Sequence, residues 1–175
     1  MFRFKSLEMP SEEDCLPGRR QPIYSPENHF VTGVPMSECM SKDKPRILFG
    51  MGCFWGAEKM FWDLDYVKVT GVGYAAGYTQ NPTYEEVCSG LTAHSEIVFV
   101  TYEDESNLEK LLQVFWEGHD PTQFMRQGGD IGTQYRSGIY FLDKTQEELA
   151  LKTKDIYQTK LCLLYTSDAA DEQQR

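Results

Sequence analysis

From Arg46 onward the apolar residues fall into blocks of two different periods, and the order of those blocks restricts the possible folds more than any other feature of the chain. Ile47-Leu48-Phe49 is a short apolar run that stops at Gly50 and Gly52, as a strand entering a tight turn does. Phe54, Ala57, Met60, Phe61 and Leu64 then recur at helical spacing, which predicts a helix with one apolar face from about Cys53 to Leu64. Val67, Val69 and the residues to Tyr74 predict a second strand, and Pro82 after Asn81 suggests the start of a short helix. His94 to Tyr102 predicts a third strand whose run Ile97-Val98-Phe99-Val100, unbroken by polar residues, is expected to be buried on both faces. Ser106 and Glu109 have capping-box spacing ahead of a helix with Leu108, Leu111, Leu112 and Phe115 on one face. Ile139 to Leu142 predicts a fourth strand, after which Thr145 and Glu148 repeat the capping signature before a third helix marked by Leu149, Ile156, Tyr157 and Leu161. The order strand, helix, strand, strand, helix, strand is that of an α+β protein, a ferredoxin-like α/β sandwich with a split βαβ core.

The flanks differ from this middle. Residues 1–44 carry Pro10, Pro17, Pro22, Pro26 and Pro35, too many for a regular element to persist, and are expected to form an extended arm. Phe2, Phe4, Ile23, Tyr24, Phe30 and Val31 are its candidate docking points. Residues 45–161 form the expected folded domain. In 162–175 the polar run from Thr166 to Glu172 has no pattern that continues the helix, so this tail is set apart as a spurious reading-frame ending and given no function.

A formal net charge of −10 repels phosphate backbones and anionic headgroups, which argues against nucleic acid as a partner. Membrane association is not expected either, because no apolar run approaches the roughly 20 residues of a spanning helix, and the first ten residues lack the apolar stretch of a secretion signal. The five cysteines (15, 39, 53, 88 and 162) are widely spaced and include no Cys-x-x-Cys pair, as expected of reduced thiols in the cytoplasm. Three histidines without helical zinc spacing point to no metal, and no cofactor is expected. The protein is expected to be a monomer.

The residues best placed for chemistry begin with Gly52-Cys53-Phe54-Trp55-Gly56. A thiol at the start of a helix faces unpaired backbone N–H groups and the positive end of the helix dipole, which favour thiolate and hence a nucleophile. A small buried core residue is the competing explanation of Cys53, and the residues alone leave both open. Phe54 and Trp55 cannot both face inward, since successive helical positions diverge by about 100°, so one of them is available to grip an apolar group. Glu96 precedes a buried run, where desolvation would keep a carboxyl protonated; a solvated strand end is the alternative. Tyr84 and Tyr135 are loop hydroxyls able to donate, and Asp130 lies in a Gly-rich loop suited to close approach of a ligand. His119, Asp120 and Cys88 are read as structural.

Four segments, Gly52 to Gly56, Asn81-Pro82-Thr83-Tyr84 with Val87-Cys88-Ser89-Gly90, Phe115-Trp116-Glu117 with His119-Asp120-Pro121, and Gly132 to Ser137, resemble in order and interval the type A peptide methionine sulfoxide reductases. The resemblance spans about Arg46 to Leu161. It implies that Cys53 is the catalytic nucleophile, Glu96 the proton donor to the sulfoxide oxygen, and Tyr84 and Tyr135 hydrogen-bond partners of that oxygen. Phe54 and Trp55 would hold the substrate methyl group, and Asp130 would help shape the pocket. The implied substrate is the S epimer of methionine sulfoxide, free or in peptides, and the implied reductant is thioredoxin. Ala93 stands where the family commonly has Gly, and Ile131 where His is common. Family members often carry a recycling cysteine beyond the third helix; this chain is expected to stop short of that segment, and Cys162 is not assigned the role. A non-catalytic domain that binds oxidised methionine, and a thiol peroxidase or redox sensor, are the alternative functions.

Overall fold

The computed structural model describes residues 7–23, 25–41 and 43–172. Its centre is a four-stranded sheet made of β1 (Arg46–Gly50), β2 (Val67–Ala75), β3 (Ser95–Tyr102) and β6 (Gly138–Tyr140) in the order β2-β3-β1-β6, with each neighbouring pair antiparallel. Two very short strands, β4 (Arg126–Gln127) and β5 (Asp130–Ile131), pair only with each other in the loop before β6. The helices are α1 (Phe54–Lys59), α2 (Tyr84–Cys88), α3 (Leu108–Gly118) and α4 (Lys144–Glu172). Chain order and strand order together are those of the split βαβ sandwich expected from the block pattern.

Alternation along the strands separates the two faces of the sheet. Ile47 and Phe49 of β1 and Val98, Val100 and Tyr102 of β3 join one core with Phe61 and the α3 residues Leu111, Leu112 and Phe115. Phe49 stacks on Phe61 at 5.2 Å and on Phe115 at 5.5 Å, so a single β1 residue ties the turn after α1 and helix α3 to the sheet. The opposite face is covered by the arm, whose 3-10 turn Met36–Met40 lies against β2 and β3. There the Thr101 hydroxyl donates to the Cys39 carbonyl and the Cys39 thiol to the Thr70 carbonyl. The third strand is therefore buried on both sides, as its unbroken apolar run predicts, and the arm supplies the second cover.

The arm docks by different residues from those expected. Phe30 is fully exposed and Ile23 and Val31 about half so, while Phe2, Phe4 and Tyr24 lie outside the described residues. Contact is made by polar groups instead. Arg19 forms a two-pronged pair with Glu86 at 2.8 and 3.0 Å, and Leu16 N–H donates to the Leu91 carbonyl.

Several local expectations also shift. Helix α1 ends at Lys59 rather than near Leu64, and Phe141 and Leu142 lie beyond β6 and are exposed. Neither expected capping box forms. Asp104 caps the 3-10 turn ahead of α3 by accepting from Ser106 N–H, and Asp143 does the same for α4 by accepting from Gln146 N–H. The reciprocal box is at α2, where Thr83 and Glu86 each accept the other's backbone N–H. The α4 face turned to the core is Gln146, Ala150 and Thr153 together with the expected Leu149, and Tyr157 stacks on Trp116, while Ile156 is exposed; the backbone helix runs on to Glu172, past the point where the apolar pattern ends.

Gln146 explains that inward polar face. Its amide donates to the Arg46 carbonyl at 2.9 Å and to the Tyr102 hydroxyl at 3.3 Å, and its oxygen accepts from Leu142 N–H. Replacing it with Leu keeps the volume but leaves those buried groups unpaired, so Gln146→Leu is expected to cost about 1–3 kcal/mol, read as a lower urea midpoint at unchanged m.

His119 closes α3, donating Nδ1–H to the Phe115 carbonyl at 2.8 Å, with Nε2 2.9 Å from the Ser137 hydroxyl. Burial holds its pKa below the ordinary 6.5. The unfolded chain therefore takes up this proton first, and stability is lost as pH falls below about 6.5. Urea midpoints measured at about pH 7.5 and 5.5 are expected to fall less in His119→Asn than in the parent chain.

Candidate active site

The site is assembled where β1 runs into α1. Gly52 has φ +85°, and a Cβ there would come within 2.5 Å of the Gln127 side chain, so only glycine fits this turn. The turn sets Cys53 at the N-cap of α1 rather than in its first turn; its carbonyl accepts Ala57 N–H while its exposed side chain makes no capping hydrogen bond. The competing description of Cys53 as a packed core residue does not fit this exposure.

Glu96 arrives from the neighbouring strand. It shares the helix-facing side of β3 with Val98, Val100 and Tyr102, and at the strand's beginning it lies under the start of α1. Its residue exposure is 2%, and its Oε2 accepts Phe54 N–H at 3.1 Å, satisfying one of the amides that a helix start leaves unpaired. The carboxyl is thus held one residue from the thiol, and the solvated alternative for Glu96 is overturned.

Three phenols feel this carboxyl. Burial pushes the Tyr135 pKa up, with Glu96 and then Asp130 adding to the effect. Tyr84, exposed at the start of α2, is raised first by its hydrogen bond to the Cys88 thiol, with smaller contributions from Glu96 and Cys53. Tyr74 is pushed up to about 12 by burial and then by Glu96. All three keep their protons at neutral pH and can donate. Tyr74 is absent from the residues read out of the sequence: it is the cross-strand partner of Glu96, and its ring packs 5.7 Å from Phe54. Only the pairing register reveals it. Cys88, expected to be structural, bonds Tyr84 and lies at the edge of the same group.

The two aromatics after Cys53 separate as the helical angle requires. Phe54 is buried in the core, while Trp55 is 75% exposed beside the thiol. Asp130 is exposed on β5 and reaches the site through its effect on Tyr135. Ala93 has φ +57°, the left-handed region where glycine is relaxed, so the alanine at this position is held under backbone strain. Among the described residues no group of three or more His, Cys, Asp or Glu is arranged to hold a metal, and no helix is long and apolar enough to cross a membrane.

A family model described as peptide methionine sulfoxide reductase matches residues 45–167. The chain is 55% identical over 158 residues to a peptide methionine sulfoxide reductase MsrA of Pseudomonas aeruginosa, covering 90% of this chain and 74% of that protein. It is 53% identical to the protein of the same name from Brucella anthropi, over 90% of this chain and 72% of the relative. Among solved structures, methionine sulfoxide reductase A of Corynebacterium diphtheriae superposes with a TM-score of 0.80 at 40% identity, covering 92% of this chain and 76% of that one. Reduced Mxr1 of Saccharomyces cerevisiae superposes with a TM-score of 0.64 at 35% identity, covering 69% and 72%. With the match to the family model reaching from the start of β1 into α4, the chain belongs to the peptide methionine sulfoxide reductase family.

Proposed function

We propose that this chain reduces methionine sulfoxide to methionine, with Cys53 as the nucleophile and Glu96 as the acid. The observation that carries this reading is the hydrogen bond from Phe54 N–H to Glu96, which holds a buried carboxyl next to an exposed thiol. A sulfoxide sulfur becomes electrophilic when its oxygen is protonated or strongly hydrogen-bonded. Burial favours the neutral carboxyl, which can donate its proton to that oxygen. Tyr84 and Tyr135 add hydrogen bonds to it, and Trp55 and Phe54 are assigned to hold the methyl group. Asp130 shapes the outer edge of the pocket. The Cys53 sulfur then attacks the substrate sulfur; the oxygen passes to Cys53, leaving methionine and a Cys53 sulfenic acid, a two-electron exchange that balances. A second thiol condenses with the sulfenic acid to give a disulfide and water, and an external dithiol reduces that disulfide.

The substrate we assign is the S epimer, free or within polypeptides, and the dithiol is of the thioredoxin class. Five cysteines without a Cys-x-x-Cys pair support action in a reducing compartment, the cytoplasm, as a monomer. The catalytic unit is assigned to 45–161, with the tail from 162 left outside it.

Single-turnover reduction of a methionine sulfoxide peptide tests the assignment. Cys53→Ser is expected to form no methionine; a variant that still does so would remove Cys53 from its role. Glu96→Gln retains an acceptor for Phe54 N–H but has no acidic proton, and is expected to slow the step by about 10²-fold to 10⁴-fold. An unchanged rate, in protein whose unfolding midpoint is also unchanged, would reassign the acid.

A further inference from the structure

α1 turns Trp55 and Glu58 away from the core, Trp62 follows in the turn after it, and the arm folds against all three. His29 holds the arm there. Its Nδ1 accepts the backbone N–H groups of Val31 and Thr32 at 3.2 and 3.1 Å, so the ring proton is on Nε2. Nε2–H donates to the Thr70 hydroxyl at 3.0 Å, and that hydroxyl donates to Glu58 at 2.9 Å. His29 N–H also donates to the Val34 carbonyl, and the His29 carbonyl accepts Gly33 N–H, closing a turn whose backbone is bonded at both ends.

This fixed turn holds Phe30 wholly in solvent and Val31 half exposed. With Trp55 and Val72 they border a cleft of about 580 Å³, whose floor contains His29 and Glu58. The cleft shares one residue with the candidate active site, Trp55, which follows Cys53 in the chain.

We infer that this cleft is a subsite for apolar side chains flanking the oxidised methionine of an unfolded polypeptide, making the arm a determinant of preference for protein over free sulfoxide. The inference rests on the proposed reductase function of Cys53. Oxidation makes a methionine side chain polar and disrupts the cores that hold it, so a sulfoxide within a protein is presented among apolar neighbours that have lost their burial. An extended segment with its sulfoxide at Cys53 can lay one such neighbour between Trp55 and Phe30, an aromatic pair suited to that contact.

Rates on three substrates decide the matter: a peptide with Leu and Phe beside the sulfoxide, the same peptide with Ser there, and free methionine sulfoxide. The parent chain is expected to favour the apolar peptide. Phe30→Ser, at an exposed position, is expected to lower kcat/KM for that peptide about tenfold through KM, the worth of one buried side chain, and to leave the other two rates alone. Val72→Ser should act in the same direction. Equal losses on all three substrates, or no loss on any, would overturn the inference while the reductase reading stood. A concentration-dependent dimer abolished by Phe30→Ser, with peptide rates unchanged, would give the cleft to a second copy and also overturn it. A parent chain that reduces none of the three would instead overturn the reductase reading, and this subsite with it.

Discussion

The hydrogen bond between Phe54 N–H and the Glu96 carboxyl is the contact on which the site depends. A helix start has amides that need acceptors, and a buried carboxyl needs donors; here each answers the other across two elements far apart in sequence. The contact exists because β3 lies beside β1 in the sheet, which brings the beginning of the third strand under the end of the first. The Gly52 turn then sets Cys53 outward at the same point. Fold and chemistry are linked at this junction: a change of strand order would separate the acid from the thiol without altering either residue.

Around that pair the protein arranges donors rather than charges. Burial keeps the Tyr74 and Tyr135 hydroxyls protonated, and the neighbouring Cys88 does the same for Tyr84. A sulfoxide carries partial negative charge on oxygen and no net charge overall, so neutral hydroxyls and an undissociated acid suit it better than a cationic clamp. On the proposed mechanism the apolar remainder of the substrate would rest on an exposed aromatic surface, and Trp55 is such a surface. No step in this account requires a metal or cofactor.

Much of this organisation was legible in the sequence, for identifiable reasons. The third strand was readable because burial on both faces demands an unbroken apolar run, and α3 because Leu108, Leu111, Leu112 and Phe115 keep one strict face. The tight turn before Cys53 was legible in Gly50 and Gly52, but the residues alone left a packed core thiol open at Cys53, which only its exposure decides against. The failures have physical causes too. The α4 face was legible in Leu149 and Tyr157, which pack on the core and on Trp116, but not in Gln146, Ala150 and Thr153, which are buried for their hydrogen bonds and small size, features that hydrophobic periodicity does not detect. Tyr74 was missed because a strand residue becomes the neighbour of Glu96 only through register. The arm was misjudged because apolar residues were expected to dock it, whereas Arg19 and His29 do so and leave Phe30 in solvent.

The most direct test of the central claim is the identity of the sulfur that receives the substrate oxygen. One equivalent of methionine sulfoxide peptide is mixed with reduced protein in the presence of a sulfenic-acid trap, and the trapped cysteine is located by peptide mass mapping alongside the methionine released. The account predicts one trapped Cys53 for each methionine formed when the trap outruns every other thiol. Methionine released with Cys53 unmodified, and the adduct on another cysteine or on none, would contradict it.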